Sequence, residues 1–126
     1  MADIVKRKIL VVDDEPDVLE YLKKVLGRDN FEVAVTEKGT QAITLAKSFK
    51  PNLIILDLFL PDMEGSEVAS QLSNELSTRD IPIIFLSGVV VNRGDNISGQ
   101  KSGRHYIMAK PVSPQEILAM IKKILG

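Results

Sequence analysis

Residues 51–61 of this chain, PNLIILDLFLP, decide its fold. An apolar run at positions 53–56 leads directly to Asp57, and a proline bounds the segment at each end. A continuous Leu/Ile run of this length is typical of a strand that is buried on both faces of a parallel sheet. Because burying an unpaired carboxylate is costly, Asp57 is either a loop residue that reaches water or the reactive group of a site at the carboxyl edge of the sheet.

Length and composition limit the class of protein. The 126 residues fit one domain, predicted to span 1–126 with a core from about residue 8 to residue 126. A net charge of −1 gives no bias toward nucleic acid or membrane, and the absence of cysteine excludes disulfides and thiolate-metal sites. No run approaches the roughly 18 apolar residues that span a membrane, and no signal peptide is visible. We expect a soluble, cytoplasmic domain.

Strand-like and helix-like segments alternate along the chain. Apolar residues at helical spacing predict a helix that starts at Pro16 and stops at Gly27, and three more near residues 42–49, 65–76 and 113–125. The third helix is expected to bury Leu76, and Ser113 with Glu116 should form a capping box at the fourth. The predicted strands are residues 8–12, 31–35, 53–57, 82–86 and 106–109.

This alternation predicts an α/β fold with a doubly wound, five-stranded parallel sheet and helices on both faces. The expected architecture is flavodoxin-like, with strand order 2-1-3-4-5. One crossover is weak, because residues 89–105 contain Gly94, Gly99 and Gly103 and little apolar surface. Glycine costs about 1 kcal/mol per helix position relative to alanine, so a short or irregular helix is expected there.

Polar groups follow four of the predicted strands. Asp13 and Asp14 follow the first strand, Asp57 ends the third, Ser87 the fourth and Lys110 the fifth. The carboxyl ends of parallel strands share one edge, so these side chains can converge there. The alternative is that they are ordinary polar loop residues. That explanation accounts for one or two of these positions, but less well for all of them.

A cluster of three carboxylates needs a cation, because neighbouring negative charges otherwise force a proton onto one of them. Oxygen ligands without histidine or cysteine favour Mg²⁺ over Zn²⁺. His105, the only histidine, is expected in a surface or loop position rather than at a metal. A carboxylate beside Mg²⁺ and a lysine is suited to attack phosphorus, with a serine hydroxyl hydrogen-bonding a phosphoryl oxygen.

Four motifs together resemble the receiver domain of two-component response regulators, whose fold is shared with the bacterial chemotaxis regulator. They are ILVVDDE, IILDLFLPDMEG around Asp57, FLSG at Ser87 and AKP at Lys110, and the resemblance covers nearly the whole chain from about residue 8. Each motif alone is weak, whereas the combination is specific.

The resemblance implies a role for each matching residue. Asp57 would be the phosphoacceptor, and Mg²⁺ would be held by Asp14 directly, Asp13 through water, Asp57 and the backbone carbonyl of Phe59. Ser87 would be the switch hydroxyl, and Lys110 would pair with the phosphoryl group. In many members of the family the peptide bond between this lysine and the following proline is cis, which proline permits.

Two departures from the family pattern are visible. Receivers usually carry a switch aromatic three residues before the lysine, but Ile107 occupies that position and Tyr106 lies one residue earlier. Because strand side chains alternate between faces, either the coupling of Ser87 to Tyr106 is lost or a bulge restores it; we favour loss. Phe59 and Val89 are apolar at positions that in the family modulate loss of the phosphoryl group, which predicts slow self-dephosphorylation.

Three functions remain open on the sequence. The first is a phospho-accepting module that takes a phosphoryl group from a histidine kinase or phosphotransfer protein and switches a protein target or output domain, without acting as an enzyme on other substrates. The second is a pseudo-receiver that works only through protein–protein contacts. The third, a haloacid-dehalogenase-type phosphatase, is disfavoured because Phe59 stands where those enzymes place a second acidic residue.

Overall fold

The computed structural model describes residues 6–88 and 105–126. Within these ranges strands and helices alternate as predicted, and the boundaries mostly agree with the sequence pattern to within a few residues. The elements in chain order are β1 (Lys8–Val12), α1 (Pro16–Arg28), β2 (Glu32–Thr36), α2 (Gly39–Ser48), β3 (Leu53–Asp57), α3 (Gly65–Ser73), β4 (Ile83–Ser87), β5 (His105–Ala109) and α4 (Pro114–Leu125).

The five strands form one parallel sheet in the order β2-β1-β3-β4-β5, which confirms the predicted topology. The chain order reverses between β1 and β3, and ligand crevices in doubly wound sheets form outside the carboxyl ends of the strands at such a reversal. Val12 of β1 is paired with Leu56 of β3. The residues that follow this pair, Asp13 and Asp57, therefore leave the sheet side by side.

Two apolar layers cover the sheet, one on each face. Alternate residues of β1 and β3 point to opposite layers, as the period of a strand requires. Ile9 and Ile55 pack with α1 and α4, whereas Leu10 and Ile54 pack with α2 and α3. The central strand β3 is buried along its whole length. The continuous Leu/Ile run at positions 53–56 thus lies in a strand covered by helices on both faces.

Two sequence predictions need adjustment, and a third is not tested. Helix α1 passes through Gly27 and ends at Arg28, and the left-handed residue after it is Asn30, with φ of 71°. Helix α3 ends at Ser73, so Leu76 lies beyond it and is 79% exposed instead of buried. The predicted irregular helix in residues 89–105 lies outside the described residues, apart from its last position, which belongs to β5.

Helix α4 begins at the predicted capping box. The Ser113 hydroxyl accepts a hydrogen bond from the Glu116 backbone N–H at 3.1 Å, and the Glu116 carboxylate accepts one from the Ser113 N–H at 2.9 Å. Hydrogen bonds from the Ser113 backbone and side chain lower the pKa of the Glu116 carboxyl, because they favour its charged form. The box places the start of α4 directly after the loop that carries Lys110.

Candidate functional site

Three carboxylates meet at the carboxyl edge of β1 and β3. One oxygen each of Asp13, Asp14 and Asp57 lies within 4.8 Å of the other two. Asp13 and Asp57 are buried, whereas Asp14 is exposed. The strand pairing explains the convergence, since Asp13 and Asp57 follow or end neighbouring parallel strands in register. Asp57 is therefore not a loop residue that simply reaches water.

Lys110 reaches this cluster from the end of β5. Its ammonium lies 2.8 Å from Asp13 Oδ2, 3.0 Å from Glu15 Oε1 and 3.6 Å from Asp57 Oδ2. The Lys110 backbone N–H donates a hydrogen bond to the carbonyl of Ser87 at 2.8 Å, which ties the loop to the neighbouring strand. The ammonium thus balances a cluster whose charges would otherwise repel one another.

The loop after Lys110 is held by two further features. The peptide bond between Lys110 and Pro111 is cis, as the resemblance implied. Tyr21 on α1 donates its hydroxyl hydrogen to the carbonyl oxygen of Val112 at 2.9 Å. This contact connects the first helix to the lysine loop, and sequence reasoning missed it because no local pattern marks so distant a partner.

The environment of Asp57 raises the pKa of its carboxyl. Burial is the main cause, and the negative charges of Asp13 and Asp14 act in the same direction. The Lys110 ammonium and the Phe59 N–H oppose this rise without cancelling it. The carboxyl is therefore one whose charged form an added cation would favour.

The pKa of the Lys110 ammonium is raised even though its burial acts in the opposite direction. The hydrogen bonds and charges of Asp13, Glu15 and Asp57 outweigh the burial. The carboxylates around the lysine therefore favour its charged form. At neutral pH the site therefore holds a permanent positive charge next to Asp57.

Ser87 ends β4 at the same edge of the sheet and is buried. Asp57 is paired with Leu86, so Ser87 stands one position beyond Asp57 on the neighbouring strand. It is paired in turn with Ala109, the residue before Lys110. The serine therefore lies between the aspartate strand and the lysine strand, where the sequence interpretation put it.

The loop after β3 folds back on itself. The Phe59 backbone N–H contacts Asp57 Oδ1 at 3.4 Å, and Phe59 forms an antiparallel bridge with Glu64. The Gly65 N–H then donates to the Leu58 carbonyl at 2.7 Å. This closure fixes the backbone of Phe59, whose carbonyl the resemblance names as a metal ligand. The Phe59 residue remains 59% exposed.

Asp62 anchors the same loop to the start of α2, a role that sequence reasoning missed. Its two carboxylate oxygens accept hydrogen bonds from the backbone N–H groups of Gly39 and Thr40 at 2.9 and 3.0 Å. These bonds lower the pKa of the Asp62 carboxyl. The N-cap residue Lys38 makes no side-chain cap of its own. A helix start without a capping residue was the available signal, but it could not identify the distant carboxylate that accepts these hydrogen bonds.

Tyr106 and Ile107 lie on opposite faces of β5. Tyr106 packs in the layer of α1 and α4, and Ile107 packs in the layer of α2 and α3. The pairing with β4 is continuous from His105 to Ala109, so a bulge does not shift Tyr106 within these five residues. The offset seen in the sequence therefore persists in the strand. Val89, the other residue of the predicted pattern, lies outside the described residues.

His105 corrects one expectation. It begins β5 instead of lying in a loop, at the end of the strand away from Lys110. Its ring packs edge-on against Phe85, with 5.7 Å between the ring centroids. Burial lowers the pKa of the His105 imidazole. In the described ranges the histidine takes no part in the acidic cluster.

The acidic cluster fits a hard divalent cation. All its ligand atoms are carboxylate oxygens, the donors that Mg²⁺ prefers. Asp13 Oδ2 is buried and, among the described residues, accepts no well-aligned hydrogen bond, although it contacts the lysine ammonium. Two largely buried carboxylates and one exposed carboxylate would leave part of the ion's coordination shell to water, which suits Mg²⁺.

A doubly wound sheet of order 2-1-3-4-5 defines a flavodoxin-like domain, and its acidic cluster could hold a metal ion at the carboxyl edge of the sheet. The chain belongs to the response regulator receiver domain family, whose model matches residues 9–122. The predicted family and fold are thereby confirmed. In the described part of the chain, helices are all too short or too polar to cross a membrane.

Known relatives agree with this assignment. The chain is 35% identical over 120 residues to the DNA-binding response regulator MtrA of Mycolicibacterium smegmatis, covering 95% of this chain and 51% of the relative. It is 37% identical to the alkaline phosphatase synthesis transcriptional regulatory protein PhoP of Bacillus subtilis, covering 94% and 48%. The chain thus spans about half the length of these curated relatives.

A solved structure supports the fold alone. The chemotaxis protein CheY4 of Vibrio cholerae aligns with a TM-score of 0.83 at 21% identity, covering 95% of this chain and 99% of that one. The predicted kinship with the chemotaxis regulator's fold is therefore confirmed at the level of architecture.

Proposed function

We propose that this domain accepts a phosphoryl group on Asp57 from a histidine kinase or phosphotransfer protein and, in that state, switches a protein target or an output domain. The observation that carries the proposal is the Lys110 ammonium, 3.6 Å from Asp57 Oδ2, within a cluster of carboxylates suited to Mg²⁺. An aspartate beside two sources of positive charge is suited to attack phosphorus. The domain would promote its own modification and would not turn over other substrates.

The proposed reaction assigns a task to each side chain. A carboxylate oxygen of Asp57 attacks the phosphorus of a phosphohistidine, the P–N bond breaks, and the imidazole leaves and takes up a proton. Lys110 pairs with one phosphoryl oxygen, and the Ser87 hydroxyl donates a hydrogen bond to another. Mg²⁺, held by Asp13, Asp14, Asp57 and the Phe59 carbonyl, would supply neutralisation of the negative charge on the transferred group.

An apolar groove next to Lys110 supports a protein donor. The groove runs between α1 and the loop before α4, and it opens beside the lysine. Apolar surface at a cleft mouth favours contact with a protein partner because its burial is favourable. The apolar residues that line it are Val18, Tyr21, Leu22, Leu86, Pro111 and Val112.

The output is proposed to pass through a protein, not through direct contact with nucleic acid. The chain has a net charge of −1, and a DNA-binding surface needs a clear excess of positive charge. The curated relatives are named as DNA-binding or transcriptional regulators and are about twice as long as this chain. We therefore propose that the aspartyl phosphate shifts a pre-existing equilibrium between two states of the domain, which a partner or output domain reads.

Phosphorylation by acetyl phosphate tests the proposal directly. We expect the wild-type protein to gain the mass of one phosphoryl group when Mg²⁺ is present, and to gain none when the metal is chelated. The variant Asp57→Asn should gain none under either condition. A wild-type protein that stays unmodified would contradict the proposal and favour the pseudo-receiver function, and modification of Asp57→Asn would show that another residue is the acceptor.

The second prediction concerns the lifetime of the modified state. Phe59 is 59% exposed beside Asp57 and has no group that could orient an attacking water. We propose slow self-dephosphorylation, and Phe59→Asn should shorten the lifetime about tenfold, because an amide can position water near phosphorus. Timed intact-mass measurements after removal of the donor provide the readout.

Leu76→Asn is the matched control, since Leu76 is also an exposed apolar residue but lies beyond α3. This variant should keep the wild-type lifetime. An unchanged lifetime in Phe59→Asn would contradict the proposed role of Phe59, and equal shortening in both variants would point to a general effect of surface polarity.

A further inference from the structure

Glu15 contacts the lysine of the site although the phosphorylation reaction gives it no task. Its Oε1 lies 3.0 Å from Lys110 Nζ, a distance that indicates a charge-assisted hydrogen bond. The same ammonium is 2.8 Å from Asp13 but 3.6 Å from Asp57. In this structure the lysine is therefore engaged most closely by two carboxylates that do not accept the phosphoryl group.

The position of Glu15 in the fold shows that its side chain is not used for helix capping. Glu15 is the N-cap residue of α1, yet its side chain accepts no hydrogen bond from the first turn. Residues chosen for capping are usually serine, threonine, aspartate or asparagine. The side chain instead extends across the cleft to Lys110.

The Glu15 backbone is held firmly on both sides. Its N–H donates to Asp13 Oδ1 at 3.0 Å, and its carbonyl accepts hydrogen bonds from the N–H groups of Val18 and Leu19 at 3.0 and 3.2 Å. Because the backbone is held in this way, the Glu15 carboxylate stays within reach of Lys110. The start of α1 therefore fixes the backbone position from which Glu15 contacts Lys110.

We propose that Glu15 is a positioning residue that holds the Lys110 ammonium back from Asp57 in the unphosphorylated domain. Phosphoryl transfer then requires Lys110 to exchange Glu15 for an oxygen of the incoming group. This inference rests on the proposed function, because that exchange has a purpose only if Asp57 is phosphorylated.

Burial explains why Glu15, and not Asp13, is the partner that the lysine gives up. The Asp13 side chain is 1% exposed, and a buried carboxylate that loses its cation is left without compensation from water. The Glu15 side chain is 61% exposed, so water replaces the ammonium at little cost. The lysine can therefore turn toward a phosphoryl group while it keeps Asp13.

Removal of the Glu15 charge should accelerate phosphorylation. In Glu15→Gln the carboxylate that competes for the Lys110 ammonium is gone, so the lysine is free to pair with an oxygen of the incoming group. We expect the rate of modification by acetyl phosphate at saturating Mg²⁺ to rise about two- to fivefold, the range that follows from the strength of an ion pair with one exposed partner. The comparison variant is Glu20→Gln, which makes the same change at an exposed position of α1.

A double-mutant cycle separates positioning from a structural effect. In a Lys110→Gln background the Glu15→Gln change should no longer accelerate phosphorylation, because the ammonium that Glu15 restrains is absent. The Lys110 side-chain NH₃⁺ resonance provides a second readout in the unphosphorylated protein. It should shift in Glu15→Gln and stay in place in Glu20→Gln.

These experiments can contradict the role of Glu15 without contradicting the proposed phosphorylation of Asp57. Any of four results would overturn the inference: equal rates in wild type and Glu15→Gln, equal acceleration by Glu20→Gln, acceleration that persists without Lys110, or a lysine resonance that does not shift. The proposed function would still be supported if the wild-type protein is phosphorylated. A wild-type protein that takes up no phosphoryl group would overturn the proposed function, and the inference with it.

Discussion

Replacing Lys110 with glutamine is expected to slow phosphorylation of Asp57 by about 10²–10³-fold, the effect typical of removing one group that stabilises developing charge. The lysine ammonium is the nearest described cation to Asp57, at 3.6 Å from Oδ2. Glutamine keeps most of the side-chain volume and removes the charge. Intact-mass time courses with acetyl phosphate at saturating Mg²⁺ measure the rate, and a loss of less than threefold would contradict the assigned role.

The same change should move the pH dependence of the reaction. Lys110 lowers the pKa of Asp57, opposing burial and the charge of Asp13, which raise it. Without the ammonium the pKa of Asp57 rises further, so the carboxyl stays protonated up to a higher pH. The rate profile of Lys110→Gln should therefore lie at higher pH than that of the wild type, most clearly at low Mg²⁺.

Stability should fall in Lys110→Gln as well, because Asp13 and Asp57 lose the cation that compensates their burial. We expect the free energy of unfolding to drop by about 2 kcal/mol in the absence of Mg²⁺, and added Mg²⁺ to recover part of it. Lys47→Gln is the control, since Lys47 pairs with Glu75 at 2.7 Å but both side chains are more than 40% exposed. A surface pair contributes less than about 1 kcal/mol, so equal losses in the two variants would contradict this account.

Replacing Gly65 with alanine is expected to destabilise the domain by about 3 kcal/mol, at the upper end of the usual cost of overpacking. A β-carbon at this position would overlap the carbonyl oxygen of Asp57 and lie 3.0 Å from the Leu58 Cα. These are backbone atoms at the end of β3, and they cannot rotate away as a side chain could. We expect the strand end to shift and the phosphorylation rate to fall together with the stability.

Gly27→Ala is the matched control for Gly65→Ala. Gly27 lies within α1, and a β-carbon there would have no atom within 4 Å. Because alanine is the better helix former, this variant should gain about 0.5–1 kcal/mol. Urea unfolding of both variants provides the free energies. A stability of Gly65→Ala within 1 kcal/mol of the wild type would show that the loop relaxes without cost.

Much of the fold could be predicted because it depends on local periodicity. The buried run before Asp57 and the alternation of strand and helix patterns predict a parallel sheet, and right-handed crossovers leave few ways to arrange it. The residues at which helices end are predicted less accurately. Leu76 was placed on a buried helix face because its spacing matches, but α3 ends at Ser73 and leaves it exposed.

The candidate site likewise has one set of contacts that the sequence predicts and another that it does not. Residues that directly follow or end a strand, such as Asp13, Asp57 and Lys110, could be placed together because parallel strands present their carboxyl ends at one edge. The contacts of Asp62 with α2, and of Tyr21 with Val112, could not be placed. They depend on the path of loops between elements, which no periodic pattern encodes.

The amino-acid pattern alone thus accounts for the parallel sheet and the meeting of the acidic residues. Hydrophobic spacing marks the buried strands, and their alternation with helices gives them a common direction. Which carboxylate holds Lys110, and how closely, depends on side-chain reach across the cleft. Glu15 at 3.0 Å and Asp57 at 3.6 Å differ by a fraction of an ångström, which is set by the packing of α1 against the lysine loop. Distances on that scale come from tertiary packing. Under our proposal they distinguish a lysine held by Glu15 from one already paired with the proposed phosphoacceptor, Asp57.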